Sequence, residues 1–125
     1  MSIERVKKYF KRFGISGRIK ELDSSSATVE LAAQALNCEP ERIAKTLAFN
    51  VNEQIVLIVT AGDAKIDNHK YKTVFGLKAK MLSPEMVEKL VGHAVGGVCP
   101  FGINENIAVY LDVSLKRFKT VFPAC

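Results

Sequence analysis

The 125-residue chain has no tryptophan, only two histidines, and three cysteines, Cys38, Cys99 and Cys125, none of them in a C-x-x-C pair. An odd cysteine count without paired spacing argues against a disulfide framework and against a cysteine-based zinc site. Reduced thiols are the simple expectation. His69 and His93 add no ligand pair of the usual short spacing, so a zinc site is not called for. No apolar run reaches membrane-spanning length. The amino terminus "MSIERVKKYFKRF" is amphipathic and lacks the apolar stretch and small-residue cleavage site of a secretion signal, which points to a cytoplasmic protein without a membrane partner. Repeats, low-complexity tracts and linkers are also missing. With 48% hydrophobic content, the chain suits one domain over 1–125 with a real core.

What is present begins with charge. Eighteen Lys plus Arg against thirteen Asp plus Glu give +5, and the basic residues are dense in the first twenty positions and again between Lys65 and Lys80. An anionic partner fits this balance, and so does an ordinary solvated lysine-rich surface. The stretches "VKKYFKRF" and "SLKRF" are the candidate patches for a nucleic-acid backbone.

The element order follows from periodicity and punctuation. Ile3, Val6, Tyr9, Phe10 and Phe13 recur at helical spacing with Gly14 as a stop. "RIKEL" reads as a short strand, and after the turn-like "DSSSA" Thr28 can cap a helix ending at Leu36. Pro40 suits the first position of a helical turn. "KTLAFN" and "QIVLIVTAG" flank the polar "NVNE" as an antiparallel hairpin, the second run being a central strand. Asp67 caps "NHKYKTVF" before Gly76, "LKAKM" alternates as a strand, and Ser83-Pro84-Glu85 opens a helix that Gly92 closes. "IAVYLDV" is a strand, "SLKRF" a helical turn, and "TVF" a last strand. The class is α+β around a curled sheet.

Two places stand out. In "AKTLAF" a period of two puts Lys45 on the same side as Leu47 and Phe49, so an amine joins an apolar row. Such a lysine either snorkels from a strand end into water or meets an anionic or carbonyl-bearing ligand. The second place is "HAVGGVCPFGI". Gly96 and Gly97 allow close approach to the main chain, whose N–H groups can face an oxygen gaining negative charge, and Pro100 stiffens the exit. A tight turn between strands explains the same glycines.

The stretches "LAAQALNCEPERIAKTLAF", "VTAGDAKIDNHKYKTVFGLKAKMLSPEMVEKLVGHAVGGVCPFG" and "VYLDVSLKRFKTVFPA" together resemble the YbaK-like family, related to the editing domain inserted in bacterial prolyl-tRNA synthetases. The likeness runs from about Thr28 to the end, and its most specific pieces are the K-T-L tripeptide at Lys45 and the G-G-x-x-P-F-G block from Gly96. It implies that family's curled, mixed, mostly antiparallel, barrel-like sheet flanked by helices. It also implies a trans-editing deacylase that hydrolyses the ester between a wrong amino acid, alanine or cysteine, and tRNA for proline. Lys45 would be the catalytic side chain near the ester, terminal ribose and phosphate. Gly96, Gly97 and Pro100 would shape a small pocket, with Thr28 as a further wall. No metal or cofactor is implied. The partners would be the aminoacylated acceptor end of tRNA and prolyl-tRNA synthetase.

Hydrolysis of so reactive an ester needs a positioned water and oxyanion stabilisation more than a strong nucleophile. The free ribose hydroxyl beside the ester can orient that water, consistent with the lack of an evident Ser-His-Asp set. A thiol mechanism with Cys99 and His93 is disfavoured by their six-residue separation and the missing third group. Two other readings remain open: a non-catalytic module that docks tRNA or a synthetase, and a protein that binds a free amino acid. Relatives usually continue past the position of Cys125 with a loop, a strand and a helix, so the chain is either a short form or truncated. An open sheet edge there would favour pairing with a second chain, leaving monomer and homodimer both open.

Overall fold

A computed structural model describes residues 2–21, 28–94 and 98–124. Four α-helices, α1 (Ser2–Arg12), α2 (Val29–Leu36), α3 (Asn68–Phe75) and α4 (Pro84–Val91), surround a sheet of β1 (Ile43–Val51), β2 (Gln54–Ala61), β3 (Ala108–Leu111) and β4 (Phe122–Pro123). The strand order is β3-β2-β1-β4, a curled, mixed half-barrel. The antiparallel β1–β2 hairpin pairs eight positions, from Ala44 opposite Ala61 to Val51 opposite Gln54. Parallel pairings extend it on both sides, Val56–Val59 with Ala108–Leu111 and Ile43–Ala44 with Phe122–Pro123.

The hairpin turns on Asn52 and Glu53, both left-handed at φ 53° and 69°, with Glu53 N–H donating to Asn50 Oδ1 at 3.0 Å. Two consecutive positive φ values match the right-handed twist of the flanking strands. Glutamate is strained in this conformation and glycine is not. Glu53→Gly is therefore expected to raise stability by about 0.5–1 kcal/mol, measured by urea denaturation. An unchanged or lower midpoint would contradict this account of the turn.

Period-two alternation sorts the hairpin's side chains into two layers. Phe49, Val56 and Ile58 pack with Tyr71 and Phe75 of α3, while Ala48 and Leu57 pack with Val87 and Val91 of α4. With a helix on each face, six consecutive residues of β2 from Val56 are buried, which is why that run reads as continuously apolar. A third cluster joins Ala32 and Ala33 of α2 to Ile43, and a fourth joins Val6 and Phe10 of α1 to Cys99.

The caps appear where the sequence places them. Thr28, Asp67 and Ser83 accept from the N–H groups of Leu31, Lys70 and Met86, and Gly76 and Gly92 close α3 and α4 at φ 76° and 101°. Two expected strands are corrected. "RIKEL" forms a 3-10 turn over Ser16–Arg18 followed by irregular backbone through Glu21. Ile19 is used instead to pack beneath α1 with Phe10 and Cys99. "LKAKM" contributes one bridge, Met81 to Phe49, plus hydrogen bonds from Asn50 N–H to Lys80 O at 2.9 Å and from Leu82 N–H to Ala48 O at 3.1 Å. It borders the part of β1 that the two-residue β4 does not reach.

Candidate functional site

A cleft of about 500 Å³ opens along β1, with apolar walls from Val29, Ile43, Leu82, Val87 and Val98 and polar groups from Thr28, Lys45 and Thr46. That volume lies within the roughly 300–1,000 Å³ of ordinary ligand sites. Two of the residues expected at a site, Lys45 and Thr28, thus line one cavity. Val98, the residue after Gly97, is in its wall, while Gly96 and Gly97 themselves lie outside the described residues. Pro100 is half-buried and is not part of the lining.

Lys45 is not at a strand end. β1 starts at Ile43, so the lysine lies within the strand, opposite Thr60, with Leu47 opposite Ile58 next on the same side. The side chain is half-buried, and Nζ donates to the carbonyl of Gly62 at 3.3 Å. One acceptor occupies one of three ammonium protons, leaving donors for a further ligand. Snorkelling from a strand end no longer describes this residue.

Gly62 is a site residue that the sequence reading passed over. A Cβ there would lie 2.1 Å from Pro40 O, 2.7 Å from Val29 Cγ1 and 3.1 Å from Ile43 O. Glycine lets the end of β2 press against the turn that feeds β1, which brings its carbonyl to Lys45. The available signal was a glycine directly after the long apolar run. Thr46 was also missed: its hydroxyl is buried in the cleft wall without a hydrogen-bond partner. Thr28 has a structural duty as well, since its Oγ1 accepts from Leu31 N–H at 3.1 Å as the cap of α2.

Asp63 follows Gly62 and is gripped by both terminal nitrogens of Arg117, at 3.0 and 2.5 Å. The Arg117 guanidinium holds its carboxyl below the usual range, with a smaller pull from the Lys45 ammonium. Asp112, which caps the 3-10 helix Val113–Arg117, is also held low, by the Ser114 hydroxyl and the Ser114 and Val113 N–H groups. A carboxylate whose folded pKa is depressed stabilises the fold above its unfolded pKa of about 3.9 and loses that contribution as pH falls through the folded value. Stability should therefore hold at neutral pH and decline below about pH 4. Asp112→Asn should be less stable than the parent at pH 7, with the gap closing in acid. Equal gaps at pH 7 and pH 3 in urea denaturation would contradict this.

His93 and Cys99, six residues apart, are brought together. Both are fully buried, with Nε2 3.8 Å from Sγ and 2.7 Å from the Phe101 carbonyl, whose oxygen fixes the ring proton on Nε2. Sequence separation therefore misjudged their proximity. Cys99 sits in the cluster beneath α1 and neither residue lines the cleft, so burial denies the thiol access to a substrate. Arg5 of α1 closes this region by donating to Gly92 O at 3.0 Å and Asn104 Oδ1 at 2.9 Å. Among the described residues no three His, Cys, Asp or Glu side chains gather as a metal site requires, and no helix is long and apolar enough to cross a membrane.

The curled half-barrel sheet flanked by helices is a fold shared with known proteins. Residues 23–125 match the aminoacyl-tRNA editing domain, and the chain belongs to that family. It is 52% identical over 126 residues to the uncharacterized protein YwhH of Bacillus subtilis, a match covering all of this chain and 80% of that protein. It is 34% identical over 85 residues to a proline–tRNA ligase of Bacillus cytotoxicus, covering 67% of this chain and 15% of the ligase. Among solved structures, one described with a proposed trans-editing role for prolyl tRNA synthetase superposes with a TM-score of 0.86 at 32% identity, covering 96% of this chain and 77% of that one. The α1 helix lies outside the matched editing domain.

Proposed function

We propose that this protein is a trans-editing deacylase that hydrolyses alanine or cysteine esters of tRNA for proline. The observation that carries the reading is Lys45, held inside a strand with its ammonium tethered to the Gly62 carbonyl, in the wall of a cleft sized for a small ligand. Water attacks the ester carbonyl, and the oxyanion that forms is stabilised by Lys45 and by main-chain N–H groups of the Gly96–Gly97 segment. The acyl C–O bond then breaks, the ribose oxygen takes up a proton, and free amino acid and tRNA leave. The neighbouring ribose hydroxyl orients the water, so no protein nucleophile is required. The apolar walls favour a short side chain over a longer one by steric exclusion. Prolyl-tRNA synthetase would be the source of the mischarged substrate, and the exposed lysines of α1 offer a surface for its phosphates.

The test is to incubate the purified chain with tRNA for proline charged with alanine, cysteine or proline and to follow acid-stable label. Loss of the alanyl or cysteinyl ester with the prolyl ester retained is the expected result. If every ester persists at its uncatalysed rate while the tRNA is bound, the protein is a docking module and not an enzyme.

A further inference from the structure

Arg117 is outside the cleft lining, yet a short chain of polar contacts joins it to Lys45. Nη1 and Nη2 donate to the two carboxylate oxygens of Asp63 at 3.0 and 2.5 Å. The preceding residue, Gly62, supplies the carbonyl that takes Lys45 Nζ at 3.3 Å. The 3-10 helix carrying Arg117 is itself fastened to the end of β2. Asp112 N–H donates to Val59 O at 2.8 Å, Ala61 N–H donates to Ser114 Oγ at 3.1 Å, and Arg117 Nε donates to Ser114 O at 3.0 Å. All three nitrogens of the guanidinium are thus committed.

An exposed ion pair contributes little to stability by its charges alone. A bidentate fork, however, fixes the orientation of the carboxylate it holds. The Gly62–Asp63 segment is therefore gripped from two sides, by Arg117 on one and on the other by the close approach of Gly62 to the Pro40 and Ile43 carbonyls. We propose that Arg117 is a positioning residue which, through Asp63 and the Gly62 carbonyl, fixes where the Lys45 ammonium meets an aminoacyl ester. This inference rests on Lys45 being the group that touches the ester. Without the fork, the segment after β2 gains freedom and the ammonium loses both a fixed acceptor and a fixed nearby carboxylate. A displacement of about 1 Å at a reacting centre can cost on the order of 100-fold, and a partial loss of restraint should cost about tenfold.

Kinetics of the full chain on the mischarged tRNA test this. Arg117→Ala and Asp63→Asn should each lower kcat about tenfold with KM nearly unchanged, and Arg117→Lys should recover part of the loss. In a Lys45→Ala background, Arg117→Ala should cause no further decrease, because its effect passes through that amine. An undiminished kcat, or the same fold-loss in the Lys45→Ala background, would overturn the proposal. A second measurement needs no substrate: the NMR signals of the Lys45 side chain and the Gly62 amide should move in Arg117→Ala while those of the Asn52–Glu53 turn stay in place. If they do not move, the link is refuted. Should the parent protein hydrolyse no ester, the catalytic reading of Lys45 fails, and the spectra still decide whether Arg117 sets the position of its amine.

Discussion

Replacing Lys45 by alanine should lower kcat/KM for the mischarged ester about 100-fold, the typical loss when one preorganised donor to an oxyanion is removed. The expectation follows from the geometry around the amine. Nζ has one carbonyl contact, at 3.3 Å, and its residue is half-buried on a strand between Ile43 and Leu47. Few contacts are lost on truncation, so the melting temperature should move by only a few degrees. A large rate loss without a stability loss would separate a chemical role from a structural one. An unaltered deacylation rate would remove Lys45 from the mechanism, and a collapsed fold would show that the lysine is structural.

The second large effect is expected at Gly62. A methyl group there would meet the Pro40 carbonyl at 2.1 Å and the Ile43 carbonyl at 3.1 Å, and main-chain atoms cannot rotate away as a side chain can. Gly62→Ala is therefore expected to cost about 1–3 kcal/mol through overpacking, read as a lower urea midpoint. It should also impair deacylation beyond what stability explains. Pushing Gly62 outward displaces the acceptor of Lys45 Nζ, and pushing Val29 or Ile43 inward alters the cleft. A variant with the parent's midpoint and rate would mean that the segment yields, and that its close packing does not hold the amine.

Much of the fold was legible because the signals are local. Thr28, Asp67 and Ser83 cap helices because a short oxygen-bearing side chain reaches an unpaired N–H two or three residues on, whatever lies elsewhere. The hairpin was legible because two β-rich runs enclose a polar turn. The strands expected at "RIKEL" and "LKAKM" were overruled because alternation does not supply a partner edge, and strand preference depends on context. Near Ile43 the outer edge of β1 is taken by β4, and near Ala48 and Asn50 the chain at Lys80 and Leu82 supplies isolated bonds only.

The candidate site divides in the same way. Lys45 was visible as a cation in an apolar row, whereas the Gly96–Gly97 segment, singled out for its backbone permissiveness, lies outside the described residues. Arg117 and Asp63 were not visible, being 54 residues apart and ordinary as surface charges. Nor could spacing reveal that the His93 imidazole lies against the Cys99 thiol.

The sequence by itself therefore determined the helices, their caps, the hairpin with its turn, and the lysine's place in an apolar row. Each of these depends on interactions within a few residues or on a simple period. Only the tertiary structure decided that Lys45 is tethered to Gly62, that Thr28 and Val98 share its cleft, and that Arg117 grips the segment behind it. Those relations depend on how distant segments pack, and packing is set by the whole core at once, not by any one stretch of chain.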